Sequence, residues 1–165
     1  MKTLWIGLVG LIFSTSIFAQ VCTPSAGNFS GIDSGTSSNP YDTCTATDQL
    51  TVSCSGLNPI GTAKDAIWSI AVGPGEHSGN LVILTTTPTY DLYVGLMSGS
   101  CSAGSPCVLE ADSSGAGGTE VLGPFDNLAN GTYYLLVTTF FGTPCGSVTI
   151  QSPNLPAVLT RFTID

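Results

Sequence analysis

Charge is what this sequence has least of. Charged residues occupy 8% of its 165 positions, and only Lys2, Lys64 and Arg161 are basic. With a formal net charge of −8, the chain cannot neutralise a phosphate backbone, which excludes nucleic-acid binding driven by counterion release. Surface ion pairs can contribute little to its stability. Histidine is nearly missing too. His77, in Gly75-Glu76-His77-Ser78-Gly79, is the only one, so a Ser-His-Asp hydrolase would have to use it as its base. There is no Gly-x-Ser-x-Gly elbow, and the fragment Asp33-Ser34-Gly35 has no companion motif of a serine protease. No Cys-x-x-Cys pair offers a zinc knuckle, and no Asp-x-Asp-x-Asp-Gly loop offers a calcium hand. Apolar residues at helical spacing are absent after the first twenty positions.

What is present begins with an export signal. Lys2 is followed by an almost wholly apolar run from Leu4 to Phe18, then by Ala19 and the polar Gln20. A basic start, a short apolar run and a small exit residue read as a secretory signal peptide over residues 1–19. The run is too short for a stable membrane span, which needs about 20 apolar residues. Cleavage removes Lys2 and takes the net charge from −8 to −9. All six cysteines follow the signal: Cys22, Cys44, Cys54, Cys101, Cys107 and Cys145. An even number in an exported chain reads as a disulfide framework, made in the periplasm, at the cell surface or in the medium. Cys101 and Cys107 flank a short Ser-Ala-Gly-Ser-Pro loop and are expected to pair; the other four can then pair in three ways.

The rest of the chain reads as strands and turns. Ala66–Val72 places Trp68, Ile70 and Val72 on one face, and Tyr90–Leu96 sets Leu92, Val94 and Leu96 against Asp91 and Tyr93. Further strands are expected at 80–85, 131–137 and 147–150, with shorter ones at 50–54, 107–111 and 119–122. Turn chemistry separates them at Gly73-Pro74-Gly75, Ser98-Gly99-Ser100, Asn130-Gly131 and Gly142-Thr143-Pro144. The expected fold class is all-β, an antiparallel jelly-roll-like β-sandwich with disulfides. Residues 20–61 read as loops and edge strands tied down by cysteines, 62–152 as the sandwich core, and 153–165 as a tail with one possible last strand.

The ordered set Asp65-Ala66-Ile67-Trp68, Gly79-Asn80-Leu81-Val82-Ile83, Tyr90-Asp91-Leu92-Tyr93-Val94-Gly95-Leu96, Gly131-Thr132-Tyr133-Tyr134 and Gly146-Ser147-Val148-Thr149-Ile150 resembles the bacterial pre-peptidase C-terminal domain family. The resemblance covers Lys64 to Ile150. It implies a small antiparallel jelly-roll-like sandwich serving as an accessory module beside exported enzymes, with some related domains binding collagen or polysaccharide. Here no peptidase accompanies the domain, so a protease role is not expected.

Site candidates follow from residue type. Phe140 and Phe141 precede a Gly-Thr-Pro-Cys turn and offer an aromatic tip for a sugar or protein; Tyr93 is a further candidate binding residue on the strand face opposite Leu92 and Val94. Glu110 and Asp112, two apart, together with Asp91 and Glu120, are candidate calcium ligands, and Asp33, Asp42 and Asp48 form a looser acidic group. The same carboxylates could serve a glycosidase only if two of them face each other across a groove. Trp68 is expected in the core. Asn28-Phe29-Ser30 and Asn130-Gly131-Thr132 match glycosylation sequons. The functional expectation is an exported, non-catalytic accessory or adhesion module that binds a surface glycan or protein. The alternative is an extracellular subunit that self-associates by strand addition, because the mature chain has almost no lysine to guard its sheet edges.

Overall fold

The computed structural model describes residues 21–32, 35–55, 60, 62–75, 77–140 and 142–153. The export signal, the last strand expected within 153–165, Asp33 and Phe141 lie outside the described residues. Nine strands run through the described chain: β1 (Gly27–Phe29), β2 (Tyr41–Asp42), β3 (Ala66–Val72), β4 (Gly79–Thr85), β5 (Leu92–Ser98), β6 (Cys107–Ala111), β7 (Glu120–Phe125), β8 (Gly131–Thr139) and β9 (Ser147–Gln151). They form two sheets, ordered β1-β3-β8-β5-β6 and β2-β9-β4-β7. The fold is all-β. From β2 onward only β5 and β6 are neighbours both in sequence and in one sheet; every other consecutive pair crosses from one sheet to the other. That alternation is the jelly-roll winding. One strand departs from the antiparallel expectation: β1 pairs with β3 in parallel, Asn28 opposite Ser69.

The period of two explains the inner layer. Trp68 and Ile70 on β3, Leu92, Val94 and Leu96 on β5, and Leu135 and Val137 on β8 point inward. They meet Leu81 and Ile83 of β4, Leu122 and Phe125 of β7, and Val148 and Ile150 of β9 in one dry core. Trp68 is 2% exposed, as its strand phase predicts.

The other face of the five-stranded sheet is apolar as well. Ile67, Tyr93, Met97 and Leu136 form a second buried cluster, covered by Cys22, Leu50, Cys54 and Ile60 from the segment before β3. This segment acts as a lid. The strand expected over 50–54 is absent because its polar backbone is satisfied otherwise. Asp65 Oδ2 accepts from the backbone N–H of both Gln49 and Leu50 at 2.6 Å, and the Tyr93 hydroxyl accepts from Cys54 N–H at 2.8 Å. Gly95 lets the lid approach. A Cβ there would lie 3.0 Å from the Cys54 Cβ, tighter than ordinary contact.

The disulfides correct one expectation. All six cysteines are bonded, but as Cys22–Cys101, Cys44–Cys145 and Cys54–Cys107, not as Cys101–Cys107. The short loop between Cys101 and Cys107 needs no bridge, because it closes on itself. Ser105 N–H donates to Ser102 O, and the hydroxyls of Ser100 and Ser102 each lie 2.8 Å from that of Ser105. Its two cysteines are therefore free to hold the lid at two separate points. Cys44–Cys145 pins the turn after β2 to the residues just before β9, its neighbour in the four-stranded sheet.

Non-reducing peptide mapping of the secreted protein is expected to recover those three bridges and no Cys101–Cys107 peptide. Cys44–Cys145 has a sequence separation of 101. Replacing both residues with alanine should lower the unfolding free energy by about 4–5 kcal/mol, measured by urea denaturation.

Asp65 generates a second prediction. It is fully buried, and that burial pushes its carboxyl up to about 6 despite the hydrogen bonds from Leu50 and Gln49, which pull the other way. A group raised in the folded state contributes stability in acid and loses it as pH rises. The protein should gain about 2 kcal/mol from this group between pH 7 and pH 4. Asp65→Asn should remove that slope and be the more stable form at pH 7; parallel curves for the two proteins would count against the buried charge.

Candidate functional site

Where the two sheets end side by side at β1 and β2, the sandwich opens into a cleft of about 330 Å³. Its floor is aromatic. Phe29 and Trp68 belong to the core, and half-buried Tyr41 meets the Trp68 ring edge-on, centroids 5.7 Å apart and planes at 70°. Its rim is polar and uncharged, with exposed Asn28, Ser30 and Asn39 and the Thr36-Ser37-Ser38 stretch. Every described residue that lines the cleft is neutral.

Both walls are fixed before any ligand arrives. Residues 36–38 are stitched to β9 and its end. Ser38 N–H donates to Ile150 O at 2.8 Å, Ile150 N–H donates back to Ser38 Oγ at 2.9 Å, and Ser152 N–H donates to Thr36 O at 2.8 Å. The facing wall, β1, is held by its pairing with β3, and the Ser69 hydroxyl donates to Asn28 Oδ1. A rigid cleft loses little ordering entropy when it binds. Fixed amide and hydroxyl groups around a partly exposed aromatic ring can hold a ligand that is rich in hydrogen bonds and carries no charge.

On the outer face of the five-stranded sheet, beyond the edge of the lid, lies a second recess of about 290 Å³. Ser69, Ala71 and Thr132 line it, and it shares Asn28, Phe29 and Ser30 with the cleft.

The site residues expected from sequence lie elsewhere. Tyr93 is not a ligand platform; it is 3% exposed under the lid, where its hydroxyl donates to Glu110 Oε1 and accepts from Cys54 N–H. Burial and then the hydrogen bond to Glu110 push its hydroxyl far up. Phe140 is half-buried and packs against the cluster beneath the lid, so its ring is not a free tip.

The four proposed calcium ligands do not converge. Glu110 turns to Tyr93 and to Ser55 N–H, 2.8 Å away; partial burial raises its carboxyl, but those hydrogen bonds outweigh it and hold it below the usual range. Glu120 is fully buried and accepts from Ser113 N–H, Ser113 Oγ and Ser114 N–H, capping the loop before β7. Asp112 is raised by partial burial and then by the charges of Asp91 and Glu120. Among the described residues, the group whose potential ligand atoms lie within 4.8 Å is Cys54, Cys107 and Glu110, and its two sulfurs are bonded to each other. Asp42 caps the short 3-10 turn at Thr43–Thr45 by accepting from Cys44 N–H. Asp48 feels the charge of Lys64. His77 sits in the β3–β4 turn, Nε2 3.1 Å from Gly73 O.

Sequence reasoning missed Tyr41, Asn39 and the lining role of Asn28. The available signal was Thr36-Ser37-Ser38-Asn39-Pro40-Tyr41, an aromatic closing a run of neutral hydrogen-bonding residues.

Tyr93→Phe separates a supporting residue from a binding one. It strips Cys54 N–H and Glu110 of a partner and should cost about 1–3 kcal/mol in urea denaturation. Ligand affinity at the cleft should not change.

No protein-family model matches the chain, and neither a curated protein nor a solved structure is found similar to it.

Proposed function

We propose that this chain is an exported, non-catalytic accessory or adhesion module that binds a glycan or a protein outside the cell through the neutral cleft between β1 and β2. The observation that carries this reading is the cleft itself: a fixed, uncharged, hydrogen-bonding rim over aromatic side chains. Export is supported by the basic-then-apolar N-terminus and by three disulfides, which persist in oxidising compartments. Among the described residues no helix is long and apolar enough to cross a membrane.

Binding rather than catalysis is supported by how the candidate catalytic groups are used. Glu110 and Glu120 accept hydrogen bonds from loop backbone, and His77 lies in a turn away from the cleft residues. The pre-peptidase C-terminal-like reading is part of the same proposal. Its motif segments fall, in order, on β3, β4, β5, β8 and β9 of the jelly roll. Strand addition has less support. β1 and β2 are three and two residues long, and β7 is interrupted by Pro124, which leaves β6 as the one uninterrupted edge among the described strands.

The test is an array of neutral glycans, anionic glycans and matrix proteins, probed with the mature protein and with Tyr41→Ala and Asn39→Ala. The wild type should retain at least one partner. Tyr41→Ala should weaken it at least about tenfold, and exposed Asn39→Ala should weaken it less while leaving the fold untouched. Retention of no partner of any class, or equal binding by all three proteins, would overturn the reading.

A further inference from the structure

The cleft and the outer recess are separated only by β1. Both are lined by Asn28, Phe29 and Ser30, so the three-residue strand forms a low ridge between two hollows of about 330 and 290 Å³. The two hollows are chemically alike but not identical. On the cleft side the ridge faces Tyr41, Asn39 and the stitched wall of residues 36–38. On the outer side it faces Ser69, Ala71 and Thr132, which share one face of β3 and β8 because Ala71 pairs with Thr132 and Ser69 with Asn28. The described lid residues pack around Ile67 and Leu136, and none of them lines this recess.

We infer that the ligand is a neutral oligosaccharide that straddles β1, with one end in the cleft and the following units in the outer recess. The inference rests on the reading of the cleft as a binding site and adds the class and length of what it takes.

Three physical points carry it. First, a sugar unit offers hydroxyls around its edge and C–H groups on its faces. Asn, Ser and Thr side chains beside a tyrosine ring match both. Second, every described lining residue of either hollow is neutral, and the mature chain has only Lys64 and Arg161 against eleven acids. A uronate, sulfated or phosphorylated chain would therefore be repelled by the net charge and find no counter-charge among the described lining residues. Third, the shape is wrong for a protein partner. A stable protein interface needs roughly 800 Å² per side with a well-packed hydrophobic centre. Two narrow hollows over a ridge instead suit a thin, flexible polymer, each unit seated separately. The ridge carries no bulky exposed side chain, since Phe29 is turned into the core and Asn28 and Ser30 stand at the surface.

The test is titration calorimetry with cello-, malto-, xylo-, manno- and chito-oligosaccharides of two to six units, with hexagalacturonate as the anionic control. For at least one neutral series, affinity should rise at least about tenfold from dimer to hexamer, because adjacent subsites add their contributions. Hexagalacturonate should not bind. Ala71→Arg and Thr132→Arg fill the outer recess at exposed positions away from the cleft. Each should bring hexamer affinity down to that of the dimer and leave dimer affinity unchanged. Thermal melts by circular dichroism would verify that both variants stay folded.

Equal affinity for dimer and hexamer, or hexamer binding that neither arginine disturbs, would overturn the straddling arrangement. Binding of hexagalacturonate in place of the neutral series, or of no oligosaccharide at all, would overturn the ligand class. The cleft reading falls separately, if Tyr41→Ala leaves every partner found on the array unaffected.

Discussion

The five-stranded sheet buries apolar side chains on both faces, and the rest of the molecule is arranged around that fact. Six of the seven residues of β5 are buried, so neither face of that strand meets water. A jelly roll supplies only one cover, the second sheet. The outer face therefore needs a third layer, and among the described residues Cys22, Leu50, Cys54 and Ile60, all before β3, supply it. Among the described residues the lid around those four forms only isolated bridges such as Thr47 with Asp65, and none of the four lies in a strand. It is held instead by two covalent bridges, by the Tyr93 hydroxyl and by the buried carboxylate of Asp65. Disulfides suit this task. They constrain the unfolded chain and ask nothing of the regularity of the segment they hold.

The described lid residues do not reach the whole face, and beyond them the side chains change character. Ile67, Tyr93, Met97 and Leu136 lie beneath it, whereas Ser69, Ala71 and Thr132 lie beyond it. The same strands thus carry large side chains where they are covered and small ones where they are open. β1 is laid along this open half, in parallel with β3. A strand so short has little stability of its own and owes its position to the anchoring of Phe29 in the main core. That anchoring places Asn28 and Ser30 at the surface and creates the ridge between the two hollows.

The sandwich strands were legible because a half-buried strand writes its environment into a period of two. Trp68, Ile70 and Val72 against Ser69 and Ala71 is such a pattern, and so are the segments that became β4, β8 and β9. The lid was not legible for the same reason in reverse. Leu50, Cys54 and Ile60 reach the sheet from an irregular backbone, so their spacing has no period. The bridge partners were misread by proximity: only five residues separate Cys101 from Cys107, but a hairpin that closes through its own serines leaves both thiols for the lid. Tyr93 was read on the correct face of β5. What could not be read was that this face is covered, because the covering residues are some forty positions away. The cleft was hidden for a related reason, being assembled from residues 26, 28–30, 36–41 and 68, which are far apart in sequence and share no binding motif.

The acids complete the account of why a chain with eleven carboxylates presents a neutral site. An irregular loop must satisfy its N–H groups without a neighbouring strand, and here carboxylates do it. Asp65 serves Gln49 and Leu50, Glu110 serves Ser55, Glu120 serves Ser113 and Ser114, and Asp42 serves Cys44. Four of the acids that might have looked like chemistry are thus committed to backbone. Charge-assisted hydrogen bonds of this kind are among the stronger ones a loop can make, and each replaces part of a missing ladder. The division of labour follows. Carboxylates hold the loops, disulfides hold the lid, and the surface left at the β1 edge is built from amides, hydroxyls and a tyrosine ring. A site of that composition discriminates by the number and direction of hydrogen bonds rather than by charge, so its selectivity should depend on ligand stereochemistry and depend little on ionic strength.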